Sequence, residues 1–304
     1  MSILAIEWNV EPAMFSIGTF EIRWYGLLFA ISFFVGYQIV QSMFKREGED
    51  LKRLDKLLMY VLIATVVGAR LGHVFFYDWP SYRDDLWSIL NIREGGLASH
   101  GAAITIIISL FIFSKRILKE KPVLWIFDRV APAIAIAAFF IRIGNLFNHE
   151  IMGITTNVPW AFSFSQYWNN SIHGFDASPR HPAQLYEALC YLLIFGLLIW
   201  IFYKKKGYTR MGLITGLFFT LLFTARFFIE FIKEHQAENI ADDSVLNMGQ
   251  YLSIPCIVLG LFFVFRSRKH IVPDLAELHA QQLAIADSET TQDKDKPGNP
   301  PKIE

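Results

Sequence analysis

The chain has 304 residues, of which 53% are hydrophobic and 15% aromatic, and its mean hydropathy is +0.34. This is too apolar for an ordinary soluble domain, and the balance of 28 basic against 28 acidic residues excludes a bulk attraction to nucleic acid. Cys190 and Cys256 lie in apolar runs without a His at metal-ligand spacing, so we expect neither a metal nor a cofactor.

Seven apolar runs are long enough for a helix to cross a bilayer, which takes about 20 residues. Backbone polar groups in lipid must bond within their own segment, so we expect each run to be a helix. The runs are 24–44, 54–77, 97–115, 123–146, 184–203, 211–232 and 248–266. The predicted fold class is an all-α polytopic membrane protein with seven transmembrane helices.

Basic residues are distributed unevenly between the connections. The segments after the first, third, fifth and seventh runs hold sixteen Lys and Arg, whereas the alternate segments hold five. The positive-inside rule places the richer side in the cytoplasm. The sequence therefore predicts an N-terminus outside and a C-terminus in the cytoplasm. The five outer basic residues are Arg23, Arg83, Arg93, Arg180 and Lys233.

Three regions follow from this topology. Residues 1–23 form an outer N-terminal segment, and residues 24–266 form the transmembrane domain. The outer connection at about 147–183 is long enough to form a small head over the helices. Residues 267–304 form a polar cytoplasmic tail, in which we expect a surface helix over 274–287 and disorder over most of the rest.

Several charged side chains lie inside the apolar runs, where each costs about 2.5–3.5 kcal/mol on insertion scales. Arg70, Arg142 and Arg226 lie about 22–28 Å along their helices from the cytoplasmic end, at about 1.5 Å per residue. His100 opens a run from the outer side, so all four are expected in the outer third of the membrane. Because arginine is a natural bidentate partner of phosphate or carboxylate, we predict an anionic headgroup as the ligand.

Each of these residues also has a structural alternative. Arg226 and Glu230 share a helix face and could form a purely structural pair. Arg70 could extend to the outer interface, and His100 could bridge helices. A structural reading is hardest to sustain for Arg142, because Asn145, Asn148, Glu150 and Gly153 follow it closely. Asp128 and Arg129 lie near the cytoplasmic end and are expected to pair with loops or water.

Residues 142–153 read RIGNLFNHEIMG, which resembles the signature G-R-x-G-N-F-x-N-x-E-x-x-G of the bacterial prolipoprotein diacylglyceryl transferases. Further resemblances follow in order at 24–26, 68–72, 95–101, 180–187, 226–230 and 248–250, so that they cover about residues 15–266. The departures concern the detail of the pocket: Ile141 and Ala102 stand for Gly, Leu146 for Phe, Leu222 for Tyr and Lys233 for Arg.

The resemblance implies an enzyme of the bacterial inner membrane that carries out the first step of lipoprotein maturation. Such an enzyme transfers the diacylglyceryl group of phosphatidylglycerol to the thiol of the lipobox cysteine of a prolipoprotein. A thioether forms and glycerol phosphate leaves, with the active site toward the periplasm. The implied partners are phosphatidylglycerol, the lipobox peptide and membrane lipids, and no nucleic acid.

Roles can be assigned to residues on this basis. We expect Arg142 and Arg226 to stabilise the leaving phosphate and His100 to take the proton of the thiol. Glu230 is expected to orient Arg226. The residues assigned to substrate binding are Arg142, Tyr25, Asn145, Asn148, Glu150, Gly153 and Glu230.

Two other classes of protein fit a seven-helix pattern. A membrane transporter could use an intramembrane relay of Arg, Glu and His, but the sequence shows no inverted repeat and no pair of broken helices. A seven-helix receptor or retinal protein is the other alternative. Against a retinal protein, the last predicted span of this chain, 248–266, contains no Lys that could form a Schiff base.

Overall fold

The computed structural model of the chain describes residues 5–18, 20–91, 96–169, 174–234 and 246–294. The structure is mostly helical, at 68%. Arg93 and Gly95, which entered the sequence analysis, lie outside the described residues, as does the tail beyond residue 294.

Long helices form over all seven predicted runs, with ends that differ by at most a few residues. Among the described residues, six helices are long and apolar enough to cross a membrane. The remaining predicted span is the helix Ser99–Arg116, which has 18 residues and ends in Lys115 and Arg116. That this helix crosses the membrane stays a prediction. The helices are α1 (Trp24–Arg46), α2 (Leu51–Phe76), α4 (Ser99–Arg116), α5 (Val123–Phe147), α6 (Ala183–Lys204), α7 (Leu213–Ile229) and α8 (Met248–Ser267), with a short α3 (Trp79–Tyr82) before α4.

Two glycines lie where helices α2 and α4 cross. Helices α2 and α4 meet at Gly68 and Gly101, where a Cβ added to Gly101 would lie 2.1 Å from the Gly68 carbonyl oxygen. Small residues let helix backbones approach in this way inside a membrane. The crossing places the first turn of α4, which carries His100, directly against the end of α2.

The small head is built from strands, so the expectation of an all-α fold is wrong in this part. Strand β1 (Ile6–Trp8) pairs in parallel with β4 (Phe162–Phe164), which pairs antiparallel with β7 (Pro179–Arg180). The N-terminal segment thereby joins the 147–183 connection. Two further pairs are β2 (Ala13–Ile17) with β3 (Phe20–Arg23), which leads into α1, and β5 (Trp168–Asn169) with β6 (Gly174–Phe175). Strands of two to five residues are too short to show an alternating pattern in the sequence.

Buried charges at the far ends of the helices have protein partners. Arg129 donates to both oxygens of Glu47, at 2.7 and 2.8 Å, where the chain leaves α1. Asp128 accepts hydrogen bonds from the backbone N–H groups of Gly212 and Thr215, at 2.7 and 2.9 Å, and so caps the start of α7. The expectation that these two residues pair with loops is confirmed.

Arg70 supports the connection between α2 and α4. Its side chain is buried and donates to the carbonyl oxygens of Ser88, Ile89 and Asn91, at 3.0, 2.8 and 2.9 Å. These carbonyls belong to the end of a short 3₁₀ helix, Leu86–Leu90, and the residue after it. A guanidinium with this many backbone acceptors is held in place, which favours a supporting role for Arg70.

The tail begins with helix α9 (Leu275–Lys294), which is longer than the predicted 274–287. The disorder expected in the tail stays a prediction for residues 295–304, which the structure does not describe. Helix α9 lies against the ends of α1 and α6 that are remote from the head.

Candidate functional site

The candidate site begins where α5 ends beneath the head. Glu150 N–H donates to the Asn145 carbonyl at 3.1 Å, and His149 N–H donates to the Leu146 carbonyl at 3.3 Å. This is the Schellman pattern, which requires a left-handed residue after the helix. His149 adopts φ 53°, and Ile151, which is β-branched, adopts φ 61°. Strain of this kind costs on the order of 1–3 kcal/mol per residue and is concentrated at functional sites.

Arg142 lies one turn before this end of α5 and is held by two acceptors. Its Nε lies 2.8 Å from Glu187 Oε2 on α6, and its Nη1 donates to Asn145 Oδ1 at 3.1 Å. The strained turn brings Glu150 back over the helix, where its Oε1 accepts from Asn145 Nδ2 at 2.8 Å and from Asn148 Nδ2 at 3.2 Å. A continuous set of hydrogen bonds therefore joins four of the predicted substrate-binding residues.

Glu187 connects this set to the end of α7. Its side chain is fully buried, and its Oε1 lies 3.2 Å from Lys233 Nζ and accepts from the Tyr191 hydroxyl at 3.2 Å. Lys233 Nζ also lies 3.3 Å from Glu230 Oε2. Burial lowers the pKa of Lys233, and the neighbouring Glu187 carboxylate opposes that change. The result is an alternation of cations and carboxylates, in which each buried charge has an opposite neighbour.

Glu230 does not orient Arg226, contrary to the expectation from their spacing. Helix α7 ends at Ile229, and the Glu230 N–H still donates to the Arg226 carbonyl, but the Glu230 side chain has other partners. Glu230 pairs with Lys233 and packs against Gly249, where a Cβ would lie 2.6 Å from its carboxylate. Within the described part of the chain, Arg226 and Glu230 form no ion pair.

Arg226 lies close enough to Glu187, Lys233 and His100 for its charge to act on all three. Its side chain is half-buried and forms no hydrogen bond or ion pair with another described residue. Arg226 is therefore a cation at the site whose donors are available to a ligand.

His100 is exposed at the first turn of α4. Its Nδ1 lies 3.4 Å from the Tyr77 hydroxyl, a long contact that leaves the ring able to exchange a proton. Tyr25, at the start of α1, packs its ring over Gly144, where a Cβ would lie 2.7 Å from Tyr25 Cδ2. Tyr25 lies close enough for the charges of Arg142 and Glu150 to act on it. The structure thus gathers all three predicted catalytic residues and Tyr25 around one region.

Gly153 has a packing role that its assignment to substrate binding did not include. Its N–H donates to the His181 carbonyl at 2.8 Å, and it forms an isolated bridge with Lys233. A Cβ here would lie 2.6 Å from both the Ile232 carbonyl oxygen and His181 Cβ. Only glycine fits, and the contact ties the head to the residue that bears Lys233. Direct contact of Gly153 with substrate stays a prediction.

Sequence reasoning gave no site role to Glu187, Tyr191 or Lys233. Glu187 is the one acidic residue of α6, an otherwise apolar helix, and an acid in such a helix is a signal of function. Lys233 was considered only as an outer basic residue and as a departure from the family pattern. Both assignments needed the packing of α5, α6 and α7 against one another, which residue spacing within one helix does not reveal.

The chain is similar in sequence to several known proteins. The sequence model of the family described as prolipoprotein diacylglyceryl transferase matches residues 12–266. The chain is 40% identical to the phosphatidylglycerol–prolipoprotein diacylglyceryl transferase of Chloroherpeton thalassium, covering 87% of this chain and 95% of the relative. It is 41% identical to that of Tolumonas auensis, covering 86% and 97%, and 42% identical to that of Porphyromonas gingivalis, covering 87% and 95%.

Proposed function

The chain belongs to the prolipoprotein diacylglyceryl transferase family, and from this premise we propose how its site carries out the reaction. The protein is a multi-pass membrane enzyme that transfers the diacylglyceryl group of phosphatidylglycerol to a prolipoprotein. The acceptor is the thiol of the lipobox cysteine. The bundle has seven spans, including α4, and lies in the inner membrane with its N-terminus and head in the periplasm. The relatives give no support to a transporter.

Phosphatidylglycerol binds with its phosphate at Arg142 and Arg226. Glu187 and Asn145 fix the orientation of the Arg142 guanidinium, at 2.8 and 3.1 Å, before substrate arrives. Donors that are already oriented need no reorganisation as charge gathers on the leaving phosphate, and this makes them effective in catalysis. Asn148, Glu150 and Tyr25 contact the glycerol hydroxyls of the headgroup.

The chemical step exchanges one bond for another. The sulfur of the lipobox cysteine forms a bond to the terminal glyceryl carbon, while the bond from that carbon to the phosphate oxygen breaks. The electron pair of the broken bond goes to the phosphate, and glycerol phosphate leaves. The thiol has a free pKa near 8.5 and must lose its proton to act as a nucleophile. His100 takes that proton, because its ring is exposed at the site and carries no strong hydrogen bond.

The observation that best supports this function is the set of hydrogen bonds that joins Arg142, Asn145, Asn148 and Glu150 beneath the head, together with the ion pair between Arg142 and Glu187. Buried polar groups are costly, so their concentration around one arginine supports a role of Arg142 in binding an anion.

The test is a transfer assay in detergent. Purified protein is incubated with phosphatidylglycerol and a lipobox peptide, and the peptide is weighed by mass spectrometry. We expect a mass increase of one diacylglyceryl group that resists neutral hydroxylamine, which cleaves a thioester but not a thioether. A peptide with Ser in place of the lipobox Cys should gain nothing. Absence of the increase, or equal modification of the Ser peptide, would contradict the proposal.

A further inference from the structure

A second site lies at the other end of the helices from the transfer site. A cavity of about 490 Å³ opens where the end of α1, the connection after α6 and α9 meet. This volume falls within the range of small-molecule pockets. The charged and aromatic residues that line it include Lys45, Arg46, Lys206, Tyr208, Asp274 and His279.

Helix α9 forms one wall of this cavity through polar contacts. Lys206 Nζ lies 2.8 Å from Asp274 Oδ2 and 3.0 Å from Glu277 Oε2, and the Tyr208 hydroxyl donates to Asp274 Oδ1 at 2.7 Å. His279 packs on Gly48, which has φ 69°, so closely that a Cβ on that glycine would lie 2.6 Å from His279 Nδ1. The wall lies beyond residues 12–266, which the family model matches.

Some of the cations that line the cavity have no acidic partner among the described residues. Lys206 faces two carboxylates, whereas Lys45 and Arg46 form no ion pair with any described Asp or Glu. Two lysines and one arginine face one aspartate and one glutamate, so the lining carries a net charge of +1 with His279 neutral. The excess favours an anion and disfavours a cation.

The Arg46 side chain is restrained by two aromatic rings. Its Cζ lies 5.2 Å from the centroid of the Tyr203 ring and 5.5 Å from that of Tyr208, so two aromatic faces restrain the guanidinium. Its Nε is buried and has no hydrogen-bond partner. A restrained guanidinium that lines the same cavity as the Lys45 ammonium suits the oxygens of a phosphate group.

We propose that this cavity binds a phosphate ester through Lys45 and Arg46. It lies at the end of the spans that is remote from the head, and a phospholipid and a soluble phosphate ester both present the required chemistry. The site is separate from transfer, because Tyr25 and Glu187 lie at the opposite ends of α1 and α6 from the cavity.

The test measures ligand-induced stabilisation of the full-length protein in maltoside micelles. One arm adds inorganic phosphate at ionic strength held constant with sodium chloride, and the other adds short-chain phosphatidylserine, with phosphatidylcholine as the neutral comparison. A ligand that binds only the folded state raises the unfolding midpoint. The variant carries Lys45→Gln and Arg46→Gln. The matched control carries Lys204→Gln and Lys205→Gln, which remove the same charge from the same end of the bundle but do not line the cavity.

We expect the Lys45→Gln, Arg46→Gln variant to bind at least about ten-fold more weakly than the native protein and the control. A shared response to both probes assigns the site to the phosphate group itself, whereas a response to phosphatidylserine or to phosphate alone assigns it to a lipid or to a soluble ester. No response of the native protein, or equal responses of the two variants, would overturn the proposal. Diacylglyceryl transfer should be unchanged in both variants, which reports that they are folded. If the double variant does not fold, Lys45→Gln alone, at an exposed side chain, should still weaken binding.

Discussion

At the scale of single residues, the site depends on a carboxylate that is shared by two cations. Glu187 forms an ion pair with Arg142 through one oxygen and accepts a hydrogen bond from Lys233 through the other, and it is fully buried. Its position in an apolar helix made it visible in the sequence as an oddity, but its partners come from α5 and from the end of α7. Arg142 and Asn145, by contrast, were predicted because they share a turn of one helix. Side-chain pairs within a helix can be read from spacing, whereas pairs between helices cannot.

Glu187→Gln keeps the shape of the side chain but removes the charge that orients Arg142. We expect the transfer rate to fall about ten- to a hundred-fold, because small displacements of a catalytic group are costly. The free energy of unfolding should fall by about 1–3 kcal/mol, since buried cations lose a partner. Enzyme kinetics with a lipobox peptide and thermal unfolding measure the two effects. Glu21→Gln, an exposed acid before α1, is the control, and equal activity of the two variants would show that Glu187 does not position Arg142.

At the scale of elements, the helices could be predicted and the strands could not. Apolar runs predict the helices to within a few residues, because lipid imposes one backbone structure over some twenty residues. The head is held by strands as short as two residues and by the fit of Gly153 between His181 and Ile232. The partner of Glu230 could not be predicted either, because its carboxylate pairs with Lys233, which follows α7, and not with Arg226 at the i, i+4 spacing.

The crossing of α2 and α4 offers a test at this scale. Gly101→Ala places a Cβ 2.1 Å from the Gly68 carbonyl oxygen, so the helices must separate. We expect a loss of stability of about 1–3 kcal/mol, as is typical of overpacking, and a lower transfer rate because α4 carries His100. Gly196→Ala in α6 is the matched control, because nothing lies within 4 Å of the added Cβ. The measurement compares the unfolding midpoints and the transfer rates of the two variants. Equal midpoints and equal rates would contradict a tight crossing of α2 and α4.

At the scale of the whole molecule, the distribution of charge predicts which end of the bundle faces outward. The head and the transfer site lie at one end, and the basic connections, α9 and the second cavity lie at the other. The positive-inside rule assigns the basic end to the cytoplasm. This prediction puts the proposed acceptor site on the side where we expect a secreted prolipoprotein to emerge, and it requires α4 to cross the membrane.

Labelling in intact cells tests this topology. Cys190 and Cys256 are first replaced by Ser, and a single Cys is then introduced at Glu11 or at Lys119, both of which are exposed. We expect a membrane-impermeant maleimide to label Glu11→Cys in intact cells and Lys119→Cys only after lysis. Lys119 follows α4, so its labelling from outside would show that α4 does not cross or that the orientation is reversed.

The central claim is that Arg142 stabilises the phosphate that leaves during transfer. The most direct measurement is the rate at which purified Arg142→Ala protein adds a diacylglyceryl group to a lipobox peptide, followed by mass spectrometry, with the unfolding midpoint recorded to show that the variant is folded. Removing one donor that stabilises developing charge slows an enzyme about 10²- to 10³-fold, so we expect a loss of this size. Arg23→Ala, at an exposed side chain before α1, should keep the native rate. A folded Arg142→Ala protein that transfers at the native rate would contradict the account.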